Sequence, residues 1–454
     1  MTIPIPEHLR ARFELKAHVG RPLSDEDPGG LLRLHGPEAA DPTALFARLR
    51  ATYGQVAPVL LPGDLPVWLV LGYQANLDVA RTPYPYTRDS RLWNLADRVP
   101  AGWPLGPTVD WEPTCAFTDG PAHARVRSAV TDSLDDLDRH GIRRYVVRYT
   151  KMLVNEFIRT GKADLVGQYA ERLPMFVMTR LLGMDEADGP RLADAARDLM
   201  TGSDTAAASN DIIVTALTDL MESKKGQPGN DLTSWLSTHE SGLSDVELHG
   251  HLRLVLIAAY ETTANLIANT LHMILTDRRF RASLSGGHMT LTDALEGMLW
   301  DELPLSVVPG RWASGDSMLD GWRIEAGDML LLGPGAANVD PEIRPDLSVP
   351  MHGNRSHLAF SAGPHRCPGE DIGRAIADTG IDTLLTLLPD MQLTVEQDEV
   401  RWDYVMLSKR LSELPVQFQP RPPVALSSGT FSGRSRRAAA AAGCPVTGAA
   451  STTA

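Results

Sequence analysis

Between residues 41 and 420 the apolar positions recur mainly at helical spacing. Short continuous apolar runs interrupt them, such as VWLVLG at 67–72 and DMLLLG at 328–333. A short apolar run bounded by turn residues reads as a buried strand, whereas three-to-four spacing reads as one face of a helix. The pattern therefore predicts a mainly α protein with a small β region, built as a single large helical domain over 41–420. No internal repeat and no linker breaks that span. Residues 1–40 are polar and dotted with Pro and Gly, which predicts an N-terminal lead-in of loose packing. Residues 421–454 are poor in bulky apolar side chains and rich in Ala, Ser and Gly. Such a stretch buries too little surface to offset its ordering entropy, and a disordered tail is expected there, carrying Cys444.

The most legible element starts at SDVE. Ser244 and Glu247 have the spacing of a capping box, and apolar residues continue from there to about Leu275. Some thirty helical residues span roughly 45–50 Å, the width of a large domain. Glu261, Asn265, Asn269 and His272 interrupt the apolar run, so the pattern predicts a buried central helix rather than a membrane span. Its middle reads AAYETTAN, 258–265. An acid followed by two threonines inside an apolar helix needs partners or water. Two readings are open: hydroxyls bonded back to carbonyls one turn earlier with Glu261 in a buried ion pair, or an acid and an alcohol carried into a cavity.

Composition adds limits. With 454 residues and 43 % apolar content the chain can bury a sizeable core. A net charge of −14 argues against a general nucleic-acid binder, which would carry a basic stripe. Cysteines at 115, 367 and 444 cannot form a disulfide framework and fit a reducing, cytoplasmic setting. Glu7, Arg10, Arg12 and Glu14 stand where a signal peptide needs an apolar core, so no leader and no membrane anchor are expected.

One cysteine lies in a distinctive stretch, FSAGPHRCPGE at 360–370. Gly363-Pro364 predicts a turn and Pro368-Gly369 the start of a helix, which places Cys367 where backbone N–H groups favour a thiolate. Zinc fits poorly without a second Cys/His pair at finger-like spacing. A nucleophile needs a partner base that the stretch does not identify. A single axial thiolate on a haem iron needs one cysteine and a cavity.

FSAGPHRC resembles the haem-binding loop of the cytochromes P450, Phe-x-x-Gly-x-His-x-Cys, at Phe360, Gly363, His365 and Cys367. AAYETT resembles the oxygen-activating segment of their central helix, with Ala259 replacing the usual Gly. DGPAHARVR looks like the segment whose His and Arg, here His123 and Arg127, bind haem propionates. PGRWASGD looks like the strand whose Arg, here Arg311, contacts the other propionate, with His365 assisting. KRLSELPVQF (409–418) resembles the C-terminal hairpin and AANVDP (336–341) the entrance to the meander. The resemblance, which runs from about 40 to 420, implies the cytochrome P450 fold and haem b (iron protoporphyrin IX), with Cys367 as proximal ligand and Glu261 and Thr262 relaying protons. It implies a monooxygenase that activates O2 and oxidises a small apolar molecule. No flavin or ferredoxin segment is present in the chain, so ferredoxin and ferredoxin reductase are the implied electron donors.

The sequence departs from the family at one place. The Glu-x-x-Arg pair is replaced, because the matching segment DALEGMLWDELP has Gly297 and Trp300 at the pair positions. Glu296 lies one residue early and has Leu299 three residues later. EGMLW looks like a minor actinobacterial group known to lack the pair. Either packing has replaced the ion pair, with Trp300 filling the space, or the protein binds haem with a lost or altered catalytic role, in ligand binding or sensing. A peroxide-driven oxidase is a third reading. Trp93, Trp103 and Trp111, PLSVVPG and VMLS (405–408) are expected near a substrate pocket. The polar stretch around TGSDTAAASND within 186–212 is expected to form a mobile lid loop.

Overall fold

The computed structural model describes residues 20–23, 28–201, 205–405 and 408–426. A six-stranded sheet and a helical core make up most of the described residues. In chain order the elements used below are β1 (Leu32–Arg33), α1 (Pro42–Tyr53), β2 (Val56–Leu61), β3 (Leu65–Val70), α2 (Tyr73–Arg81), β4 (Tyr86–Thr87) and α3 (Gly120–Asp135). They continue with α4 (Arg139–Phe157), β5 (Lys162–Asp164), α5 (Arg172–Leu182), α6 (Asp188–Thr201), α7 (Ala206–Gly226), α8 (Asp245–Thr276) and α9 (Leu291–Asp301). The last are β6 (Val308–Ala313), β7 (Ser317–Leu319), β8 (Trp322–Ile324), β9 (Met329–Leu332), α10 (Glu370–Leu387), β10 (Gln392–Leu393), β11 (Trp402–Val405), β12 (Ser408–Leu411) and β13 (Pro415–Gln417).

The two apolar runs of the sequence are neighbours. β3 and β9 pair in parallel with Trp68 opposite Leu330, inside a sheet of order β1-β2-β3-β9-β6-β4. Every residue of β2 is buried, because α1 and Trp103 cover one face of the sheet while Trp322 and Val79 pack on the other. Strands buried on both faces read as continuous apolar runs, which is why they were legible without alternation. Part of the expected lead-in joins this layer: Leu32–Arg33 pairs with β2, and Leu23, Leu31 and Leu34 are buried. The rest of the lead-in and the tail from 427, with Cys444, lie outside the described residues.

The helical core surrounds α8, which packs against α5, α7, α9 and α10. The capping box at Ser244 and Glu247 is formed, with both reciprocal bonds present. Asp245–Thr276 is long and apolar enough to cross a membrane, yet 61 % of its most apolar window is buried inside the protein. The polar 186–212 region is helical rather than a loop: α6 and α7 fill it, and only 202–204 lie outside the described residues. The expected C-terminal hairpin is divided between two sheets, with β12 pairing β11 while β13 lies between β10 and β5.

Candidate active site

The cysteine loop is tied at both ends. Leu358 donates its N–H to Oδ1 of Asn338, whose Nδ2 donates to the carbonyl of Leu299 at 2.9 Å. The N–H of Cys367 donates to the carbonyl of Phe360 at 2.9 Å, which closes the loop on itself. Gly363 has φ +70°, and a Cβ there would lie 2.4 Å from the carbonyl oxygen of Ala80 at the end of α2, so only glycine serves. Cys367 stands three residues before α10 and faces a cavity of about 350 Å³ under α8. Burial pushes its thiol pKa up, and a hydrogen bond from the Gly369 N–H and the Arg127 charge act against that push.

Basic side chains gather at one end of the same cavity. Arg127, on α3, donates to the carbonyl of Arg366. Arg311, on β6, is 2 % exposed and its Nη1 has no hydrogen-bond partner. His123 does not line the cavity; it is buried, with an unpartnered Nε2, and its ring lies 4.3 Å from that of His365, which does. Burial lowers the His123 pKa, and Arg127 lowers it further. His365 bonds Oδ1 of Asp119 at 2.9 Å, and burial lowers its pKa to about 4. Asp119 would be raised by burial, but bonds from His365, the Arg88 N–H and Thr87 bring it down to about 2.

Arg88 completes the group and was not singled out in the sequence. It lines the cavity and donates to the carbonyls of Ala116, Pro309 and Gly310 at 2.6, 3.0 and 2.6 Å. Burial lowers Arg311 to about 9, and the Arg88 charge adds to the lowering. The Asp119 carboxylate acts on both Arg88 and Arg311. Buried cations with unpartnered donors are unfavourable unless an anion arrives. A dianionic group fits here, and the two carboxylates of a haem meet that requirement, with Cys367 in the same cavity to reach its iron.

The opposite wall comes from α8. Ala258, Ala259, Thr262 and Thr263 line the cavity, and the Thr262 hydroxyl donates to the carbonyl of Ala258 at 2.8 Å. Glu261 does not line it; its carboxyl lies beside Ser408 and Arg410 on β12, and burial pushes its pKa up against their pull. Pro304, Leu305 and Val308 of PLSVVPG supply apolar wall. The tryptophans do not: Trp93 and Trp103 belong to the sheet core, and Trp111 carries Arg91 over its ring at 4.2 Å. Within VMLS, 406–407 lie outside the described residues.

Gly297 and Trp300, where the sequence reading expected the Glu-x-x-Arg pair to be replaced, are both closely packed. A Cβ on Gly297 would lie 2.7 Å from Nδ1 of His352. The Trp300 indole is buried and donates to the carbonyl of Asn354 at 2.8 Å. Packing alone has not replaced the ion pair, however. Glu296 is 1 % exposed and bonds Nε and Nη2 of Arg374, on α10, at 2.7 and 2.8 Å. The sequence showed Glu296 without a basic partner because that partner lies 78 residues away.

No family model matches the sequence. Among characterised proteins, the cytochrome P450 monooxygenase PikC of Streptomyces venezuelae is 31 % identical over 396 residues, covering 84 % of this chain and 92 % of that protein. A vitamin D(3) 25-hydroxylase of Pseudonocardia autotrophica is 31 % identical over 392 residues, covering 84 % and 94 %. The solved structure of CYP154C4 from Streptomyces sp. ATCC 11861 superposes with a TM-score of 0.78 at 29 % identity, over 85 % of this chain and 98 % of that one. The fold, the thiol above which α8 passes, and relatives named for oxygenation agree. The chain belongs to the cytochrome P450 family, and it is an oxidoreductase of the monooxygenase type.

Proposed function

We propose that this protein binds haem b through Cys367 and oxidises a small apolar molecule with electrons delivered by a ferredoxin and its reductase. Its placement in the group lacking the Glu-x-x-Arg pair and in the cytoplasm is part of the same reading, supported by Gly297 and Trp300 and by the free thiols Cys115 and Cys367. The observation that carries it is one cavity that holds the Cys367 thiol together with the buried, unpartnered Nη1 of Arg311. Bound haem would supply the oxygen-activating iron that an axial thiolate makes electron-rich.

The chain's own residues would do the rest. Cys367 would hold the iron as a thiolate, with the Gly369 N–H donating to its sulfur. Arg311, His123 and Arg127 hold the two carboxylates, while Arg88 and His365 stiffen the rim against Asp119. The apolar wall of Leu305, Val308 and Leu254 excludes bulk water and suits an apolar ligand. Thr262 accepts a proton-bearing water with the lone pairs that its bond to Ala258 leaves free. Glu261, on the flank of α8, takes protons from the side of β12 and passes them by water to Thr262. A vitamin D(3) hydroxylase among the relatives supports a small organic substrate.

Turnover with a surrogate ferredoxin and reductase tests this reading. Electron consumption coupled to oxidation of one member of an apolar compound panel is expected. A thiolate-ligated protein that consumes electrons with no oxidised product from any ligand that it binds would overturn it in favour of a non-catalytic haem protein.

A further inference from the structure

We propose that Glu296 is the positioning residue of the thiolate loop, clamping both of its arms in place of the missing pair; this rests on Cys367 being the haem ligand. His357 stands ten residues before Cys367 and Arg374 seven after it, and the single carboxylate of Glu296 binds both. Nε2 of His357 lies 2.9 Å from Oε2. Its Nδ1 accepts the Ala359 N–H, so the ring carries its proton on Nε2 and donates it to Glu296. Arg374 donates to both oxygens of the same carboxylate and also pairs with Glu370. Two parallel guanidinium bonds fix orientation as well as distance.

The clamp reaches the sulfur by a short chain of contacts. The Arg374 guanidinium lies over the Phe360 ring, 4.5 Å from its centroid, and the Phe360 carbonyl accepts the Cys367 N–H. The His357 ring stands 5.8 Å from the same phenyl ring. Both partners of Glu296 therefore touch the Phe360 ring, and the Phe360 carbonyl holds the backbone of the ligand. A side chain at 297 would meet the His352 ring, which would have to shift. Arg355, 62 % exposed and 3.6 Å from Oε1, only borders the cluster.

The test uses the full-length holoprotein with Glu296→Gln, His357→Gln and, as a control of buried position outside the cavity, Leu217→Ala. Readouts are the ferric/ferrous potential and the lifetime of the thiolate-type Soret band in the reduced CO complex, with urea unfolding run alongside. Glu296→Gln is expected to shorten that lifetime roughly tenfold, because Arg374 loses its buried counter-charge. Glu296→Asp is expected to restore part of it, and Leu217→Ala to leave it unchanged at equal loss of stability. If Glu296→Gln does not fold, His357→Gln is read against the same control. A lifetime and potential equal to wild type in these variants, or a loss matched by Leu217→Ala, would overturn the proposal. A wild-type protein without a thiolate band would instead overturn the reading of Cys367.

Discussion

Arg311 shows how a side chain can be unfavourable for the folded chain and useful to its cofactor. It is buried beside Arg88, with an Nη1 that donates to nothing. Arg311→Met should raise the urea midpoint of the haem-free protein, since a buried charge without a partner is removed. The same variant should weaken haem retention by about tenfold or more, the scale of a lost hydrogen bond to a charged group. Haem transfer to an acceptor globin would measure that loss. Glu296 and Asp119 give the opposite sign. Both have folded values near 2, below the ordinary carboxylate range of roughly 4. Their contribution is present above that ordinary range and is lost as pH falls through it toward the folded values. Urea unfolding between about pH 6 and 3 should show stability declining below about pH 5, with a shallower decline in Glu296→Gln. Cys367, His365, His123, Arg127 and Arg311 were singled out by their resemblance to family segments, and the structure brings Cys367, His365, Arg127 and Arg311 to one cavity. Arg88 was not: the pairing of β4 with β6, Thr87 opposite Trp312, brings this half-buried side chain beside Arg311.

The central helix α8 was read almost to the residue, because a capping box and a long apolar run are local signals. Ser244→Ala should lower stability by about 1 kcal/mol in urea unfolding, the usual loss for an N-cap side chain. The helix also explains why Glu261 and Thr262 part company. Adjacent helical residues differ by about 100° around the axis, so Thr262 lines the cavity while Glu261 turns to Arg410 and Ser408 on β12. A one-dimensional motif names both residues and cannot show that they face different partners. Thr262→Ala should raise electron consumption per product formed, and Glu261→Gln should slow turnover by about a hundredfold, the lower range for a positioned proton donor. Because burial raises the Glu261 pKa, its carboxyl keeps a proton to higher pH than an ordinary glutamate. Coupled turnover should therefore fall as pH rises through that raised value, and Glu261→Gln should remove the fall. The segment 186–212 was misread because its Ala, Ser and Asp content resembles a loop. Alanine is also the best helix former, and packing against α5 and α8 made α6 helical.

At the scale of the molecule, the six-stranded sheet and the helical core both supply walls of the Cys367 cavity. The mainly α fold with a small β region was legible from periodicity, and the two apolar runs proved to be adjacent parallel strands. What the chain order concealed was tertiary closure. β1 joins the sheet from within the expected lead-in, and Glu296 finds Arg374 across 78 residues. Both depend on contacts that no local pattern announces. On the proposal above, that second contact does the work expected of a pair at Gly297 and Trp300. The central claim is therefore that Cys367 ligates haem iron as a thiolate in a fully assembled site. The reduced-plus-CO difference spectrum of the purified protein, measured beside Cys367→Ala, tests it most directly. The account predicts a Soret band at the position typical of thiolate ligation in the wild type and its loss in Cys367→Ala. Absence of haem from the wild type, a band typical of a neutral ligand, or an unchanged band in Cys367→Ala would contradict it.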